Sequence, residues 1–226
     1  MVTEEELTSI GFTEEQARTL LSNDYFKKNF GSWTKEKLVF KINCITAIYG
    51  IKKFTDVLAA ISSYPKFLNS DHEKTIKKVI DFNPTLNRNS VVEIILCNPS
   101  LVSVDLKKAF SSAIKVYGKE NEQDLKMALL VFPGFSRKDH RRNLKKLLRI
   151  YGPTYKKIIL KAMLRVPEFP NFKHITALKK VIEAGKAEGL SIQKCVELLL
   201  GVCAKTDISI KSAEKAKKAF ESIISE

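Results

Sequence analysis

No stretch of this 226-residue sequence stays apolar for the roughly 18 residues that a bilayer-spanning helix needs. Nor does it open in the basic-then-apolar order of a secretory signal, since Thr3-Glu4-Glu5-Glu6 is polar and acidic. Neither a membrane role nor secretion is expected. Glycine is scarce, at 9 residues, and no segment has the character of a flexible linker, which points to one continuous body of 1–226 and not to tethered domains. The four cysteines, Cys44, Cys97, Cys195 and Cys203, stand far apart in apolar surroundings and lack the close pairs of zinc or redox motifs. They read as buried, reduced thiols of an intracellular compartment, a bacterial cytoplasm or an organelle matrix. A nucleophile elbow, a glycine-rich phosphate loop and a His-Glu motif are all missing, and the carboxylates are scattered. No enzyme, metal or cofactor is expected.

Positive charge is plentiful. Lys and Arg number 39 against 25 Asp and Glu, a formal charge of +14, which favours anionic partners, nucleic acid ahead of acidic membrane. The apolar fraction of 44% is enough for a sizeable core.

One phrase recurs: Tyr64-Pro65-Lys66-Phe67, Asn98-Pro99-Ser100-Leu101, Phe132-Pro133-Gly134-Phe135 and Val166-Pro167-Glu168-Phe169, with successive prolines 34 residues apart. A fixed period of that length marks a stacked repeat array. Proline pushes the preceding residue out of helical geometry, so a first helix should end there. The apolar residue two further on then folds back as a plug, and second helices are expected to start near Ser70, Val104, Lys138 and Asn171 and to end near Asn83, Tyr117, Tyr151 and Gly185. The expected fold is all-α: a curved or right-handed α-solenoid of helix–turn–helix repeats. Four regular repeats occupy 50–185, with an N-terminal cap and degenerate repeat over 1–49 and a C-terminal capping repeat over 186–226. In the degenerate copy Gly31 stands at the proline position and Trp33 at the plug. The last repeat has Gly201 and Cys203 at those places, and its final helix, Ser209 to Ser225, sets Ile210, Ala213, Ala216, Phe220 and Ile223 against Lys211, Lys215, Lys217 and Lys218.

The grammar "helix, apolar-apolar-x-x-Pro-x-(Leu/Phe), helix, Tyr-Gly" resembles the mitochondrial transcription termination factor family. Leu129 to Phe135 running on to Tyr151-Gly152 carries the likeness best, which extends over about Lys41 to Gly185. The resemblance implies a solenoid gripping nucleic acid, with a role of the transcription-regulating or terminating type. A second likeness, to transcription activator-like effector repeats, rests on the period and on the variable loops Leu68-Asn69, Val102-Ser103, Ser136-Arg137 and Pro170-Asn171; their constant Gly-Gly is absent here. Leu7 to Phe12 followed by Glu14 to Ala17 also resembles a ubiquitin-associated domain, whose Gly-Phe loop belongs to the binding surface; the same residues suit a capping turn.

In register, Lys74, Lys77 and Lys78 correspond to Lys108, to Arg142, Lys145 and Lys146, and to Lys179 and Lys180, with Lys115 and Arg149 one turn later. These positions lie opposite the apolar face of each second helix, so stacking would join them into a basic stripe. Arg137, Lys138 and Arg141 make the third repeat its most basic point. The stripe either tracks a phosphate backbone or solvates the helices. Duplex DNA is the favoured ligand, with RNA and an acidic protein partner as alternatives, and a monomer is expected. Tyr155 and Phe172 could stack on unpaired bases, whereas Tyr117 and Tyr151 hold an apolar repeat position that suits the core. His72, His140 and His174 also share one repeat position, which separates them too far to share a metal and suits a helix start beside Asp71 and Asp139.

Overall fold

A computed structural model of the chain describes residues 2–132 and 134–225, and these contain helices and turns without a strand. They form two compact units, residues 1–105 and 106–226. The N-terminal unit holds α1 (Glu4–Ile10), α2 (Glu14–Ser22), α3 (Asp24–Phe30), α4 (Lys35–Tyr49), α5 (Phe54–Ser63), α6 (His72–Phe82) and α7 (Arg88–Cys97). The C-terminal unit holds α8 (Leu106–Tyr117), α9 (Glu122–Val131), α10 (His140–Tyr151), α11 (Lys156–Arg165), α12 (His174–Ala187), α13 (Ile192–Ala204) and α14 (Ile210–Ser225).

Local chemistry sets the first turns. Thr3 accepts from the Glu6 amide at 3.2 Å while the Glu6 carboxylate accepts from the Thr3 amide at 2.9 Å, and Thr13 and Gln16 repeat this reciprocal cap at α2. The Gly11–Phe12 loop between them is a packed surface. Phe12 is buried, and a Cβ on Gly11 would stand 3.2 Å from the Phe54 ring of α5. In the degenerate repeat Asn23 caps α3 through the Phe26 amide, breaking the helix that leads into Gly31. The plug there is Phe30, fully buried, and not Trp33, which is half-buried and stands edge-on to Phe30 at 4.8 Å.

The proline phrase works as anticipated, with one addition. Tyr64, Asn98 and Val166 all leave helical geometry, with φ between −146° and −128°. Prolines 65, 99 and 167 are buried; Pro133 lies outside the described residues. The plugs Phe67, Leu101, Phe135 and Phe169 are fully buried, each worth about 2 kcal/mol of apolar transfer. The addition is a short 3-10 turn carrying each plug: Pro65–Asn69, Pro99–Val102, Phe135–Arg137 and Phe169–Asn171. That turn runs up to or just short of the residue expected to open the second helix, and α6, α8, α10 and α12 begin two or three positions after that residue. Asp71 and Asp139 fix two of these starts by accepting from the Lys74 and Arg142 amides, each at 3.0 Å.

The far ends follow two rules. Gly50, Gly118 and Gly152 have φ of 101°, 82° and 93°, a left-handed geometry that lets α4, α8 and α10 stop after their tyrosines. Gly185 differs from its expected role as a terminator: α12 runs through it to Ala187, and its missing side chain lets α13 approach, since a Cβ there would meet Cys195 Sγ. Without a proline, α13 continues past Gly201 and buries Cys203, whose thiol burial pushes up to about 12. Cys195 is also buried, but Cys44 and Cys97 are exposed, because each falls on the outer side of its helix. Helix α14 seals this end by setting Phe220 against Phe172 at 4.8 Å and Phe169 at 6.0 Å.

Candidate nucleic-acid interface

The repeated histidines and tyrosines form one device. The O–H of Tyr49, Tyr117 and Tyr151 meets Nδ1 of His72, His140 and His174 at 3.0, 3.1 and 2.8 Å. Each pair joins the end of one second helix to the start of the next, and the histidine ring lies 4.5, 4.5 or 4.6 Å from the plug ring. His174 Nε2 donates to the Phe169 carbonyl at 2.6 Å, which leaves Nδ1 bare to accept from the tyrosine. The Phe67 and Phe135 carbonyls act on His72 and His140 in the same sense, without a well-aligned bond to Nε2. Burial pushes all three imidazoles down to about 4 and raises the three phenols above their ordinary range. These histidines are neutral members of the core, as are Tyr117 and Tyr151. Among the described residues no group of three His, Cys, Asp or Glu gathers to hold a metal.

The basic positions divide into two kinds. Lys78, Lys138 and Lys146 are clasps. Lys78 Nζ donates to the Leu101 carbonyl at 2.7 Å and the Val104 carbonyl at 3.2 Å, and burial lowers its proton affinity. Lys146 Nζ donates to the Pro170 carbonyl at 2.8 Å. Lys138 Nζ donates to the Pro167 carbonyl at 3.0 Å and pairs with Glu168, whose carboxyl that bond holds below the usual range. Each clasp bonds carbonyls in or beside the following proline turn and so ties a second helix, or the residue before it, to the next repeat. Sequence cannot separate such a lysine from a solvated one, although 78 and 146 are two periods apart.

The second kind stays in water. Arg137, Arg141, Arg142, Lys145 and Arg149 are exposed on and before α10, as are Lys108 and Lys115 on α8 and Lys179 on α12; Lys180 is half-buried. Between α8 and α10 runs a groove of about 800 Å³, lined by Ser112, Lys115 and Val116 on one wall and Lys138, Arg141 and Lys145 on the other. Lys156, at the start of α11, completes it; as part of a first helix it falls outside the register of second-helix positions that carries the stripe. The groove's one carboxylate, Asp139, is engaged as the α10 cap. Among the described residues, Lys115, Arg141, Lys145 and Lys156 pair with no carboxylate. Four uncompensated cations around one concavity raise its potential and concentrate anions.

In the N-terminal unit Lys74 and Lys77 are exposed on α6, but Glu73 beside them pairs with Arg88 at 2.8 Å, and Asp81 stands where α10 has Arg149. The charge is therefore strongest in the C-terminal unit. Of the aromatic residues, Phe172 is packed on Phe220 and Tyr155 is half-buried outside the groove. Compared with known protein families, curated proteins and solved structures, the chain matches none.

Proposed function

We propose that this chain is a helical-repeat protein that binds the phosphate backbone of nucleic acid, duplex DNA foremost, and that its repeats continue as a curved solenoid. The carrying observation is the α8–α10 groove, where Lys115, Arg141, Lys145 and Lys156 converge without a counter-charge. Binding is then mainly electrostatic: each neutralised phosphate releases condensed counterions, so four neutralised phosphates give a slope of log K against log salt of about −3.6. Among the described residues no Phe, Tyr or Trp lines the groove and its His140 ring is buried, so unpaired bases have no stacking platform there, and a paired ligand is favoured over a single strand.

The test is fluorescence anisotropy with labelled duplex DNA, duplex RNA and single strands at two salt concentrations. The variant Lys115→Glu, Arg141→Glu, Lys145→Glu, Arg149→Glu leaves every clasp in place. It is expected to weaken duplex binding and to flatten the salt slope by about one for each phosphate that is no longer neutralised. Unchanged affinity in that variant overturns the proposal, and tighter binding of duplex RNA reassigns the ligand.

A further inference from the structure

A second groove lies between the first helices of the last two repeats, α11 and α13, with a volume of about 520 Å³. Its floor is apolar: Tyr155 and Ile158 are half-buried, and Leu198 is 49% exposed. Its rim is basic, with Lys157 and Lys161 on one side and Lys194 and Lys205 on the other. The single carboxylate, Glu197, already accepts from the Gln193 side chain at 3.1 Å. One end is pinned by Arg165, which donates from α11 to the Ala204 carbonyl at 2.9 Å and lies 3.5 Å from Asp124. The walls are thus held before anything binds, which lowers the ordering cost of occupancy.

We infer that this groove docks an acidic, amphipathic segment of a partner protein, its aliphatic side chains over Ile158 and Leu198 and its carboxylates against the lysine rim. Charge complementarity selects an anionic occupant. The exposed leucine between the lysines selects one with aliphatic groups, which a phosphate backbone does not offer. A concavity of this size matches one or two anchoring side chains, the form in which grooves read amphipathic helices.

The experiment uses the full chain and a fluorescein-labelled peptide of glutamate and leucine with its leucines at i and i+4, beside a scrambled peptide of equal composition. Saturable binding of the patterned peptide is expected. Leu198→Glu, at an exposed position, and Lys157→Glu with Lys194→Glu should each weaken it about tenfold or more. Thermal melts of the same samples confirm that the variants are folded. The charge-reversed α8–α10 variant is expected to bind the peptide normally, which separates failure of this inference from failure of the nucleic-acid proposal. Three results would overturn the inference: equal binding of the scrambled peptide, displacement of the peptide by duplex DNA in that α8–α10 variant, or a self-association that Leu198→Glu abolishes.

Discussion

At the residue scale, the tyrosine–histidine pair shows how a polar contact is made safe inside a repeat core. With the plug carbonyl on one nitrogen and the phenol on the other, His174 is fully satisfied while neutral. Deleting one partner strands the other, so Tyr117→Phe is expected to cost about 1–3 kcal/mol in urea denaturation, whereas adding His140→Leu to it should cost little more. Additive losses would refute the pairing. The sequence contains the same experiment in part: at the register position of the tyrosine the first regular repeat has Asn83, and at that of the histidine the second has Leu106. That joint replacement was the legible signal for pairing, missed because a partner 23 residues away belongs to the next repeat. Gly185 offers a second residue-scale check. Gly185→Ala drives a methyl carbon against Cys195 Sγ where both are buried, which should destabilise by about 1–3 kcal/mol, with Cys195→Ala restoring part of it in thermal melts.

At the scale of the element, two lysines one position apart on α10 have opposite duties. Lys146 is spent on the Pro170 carbonyl, and Lys145 faces the groove. Lys146→Met should lower stability by about 0.5–1.5 kcal/mol and leave duplex affinity nearly unchanged; Lys145→Met should do the reverse. Equal effects of the two substitutions on both measurements would show that α10 has no such division. Helix periodicity made the first-helix ends, the plugs and the apolar faces readable. It could not give the 3-10 turns, which are closed by local backbone bonds and have too few residues for a period, and it counted the clasps as part of the stripe because their carbonyl partners lie in the next repeat.

For the whole molecule, the three core histidines make stability depend on pH. Their folded-state proton affinities are held near 4, below the ordinary value of 6.5, so the unfolded chain binds more protons between those limits. Stability is complete above about pH 6.5 and falls as pH drops toward 4, by up to about 3 kcal/mol per histidine. The total is of the order of a domain's entire stability. The C-terminal unit, with His140 and His174, should lose more than the N-terminal unit with His72 alone. Urea midpoints at pH 7 and pH 5 check this, and equal midpoints would contradict neutral burial. The division at residues 105 and 106 was not readable from composition, since no linker marks it.

Because each pair takes its tyrosine from one repeat and its histidine from the next, the joint belongs to the period and not to any single copy. Removing residues 118–151 would set Tyr117 where Tyr151 now stands, again 23 positions before His174. An unequal exchange at the Tyr-Gly boundaries can therefore lengthen or shorten this chain by whole repeats, and every new boundary arrives with its polar joint already matched.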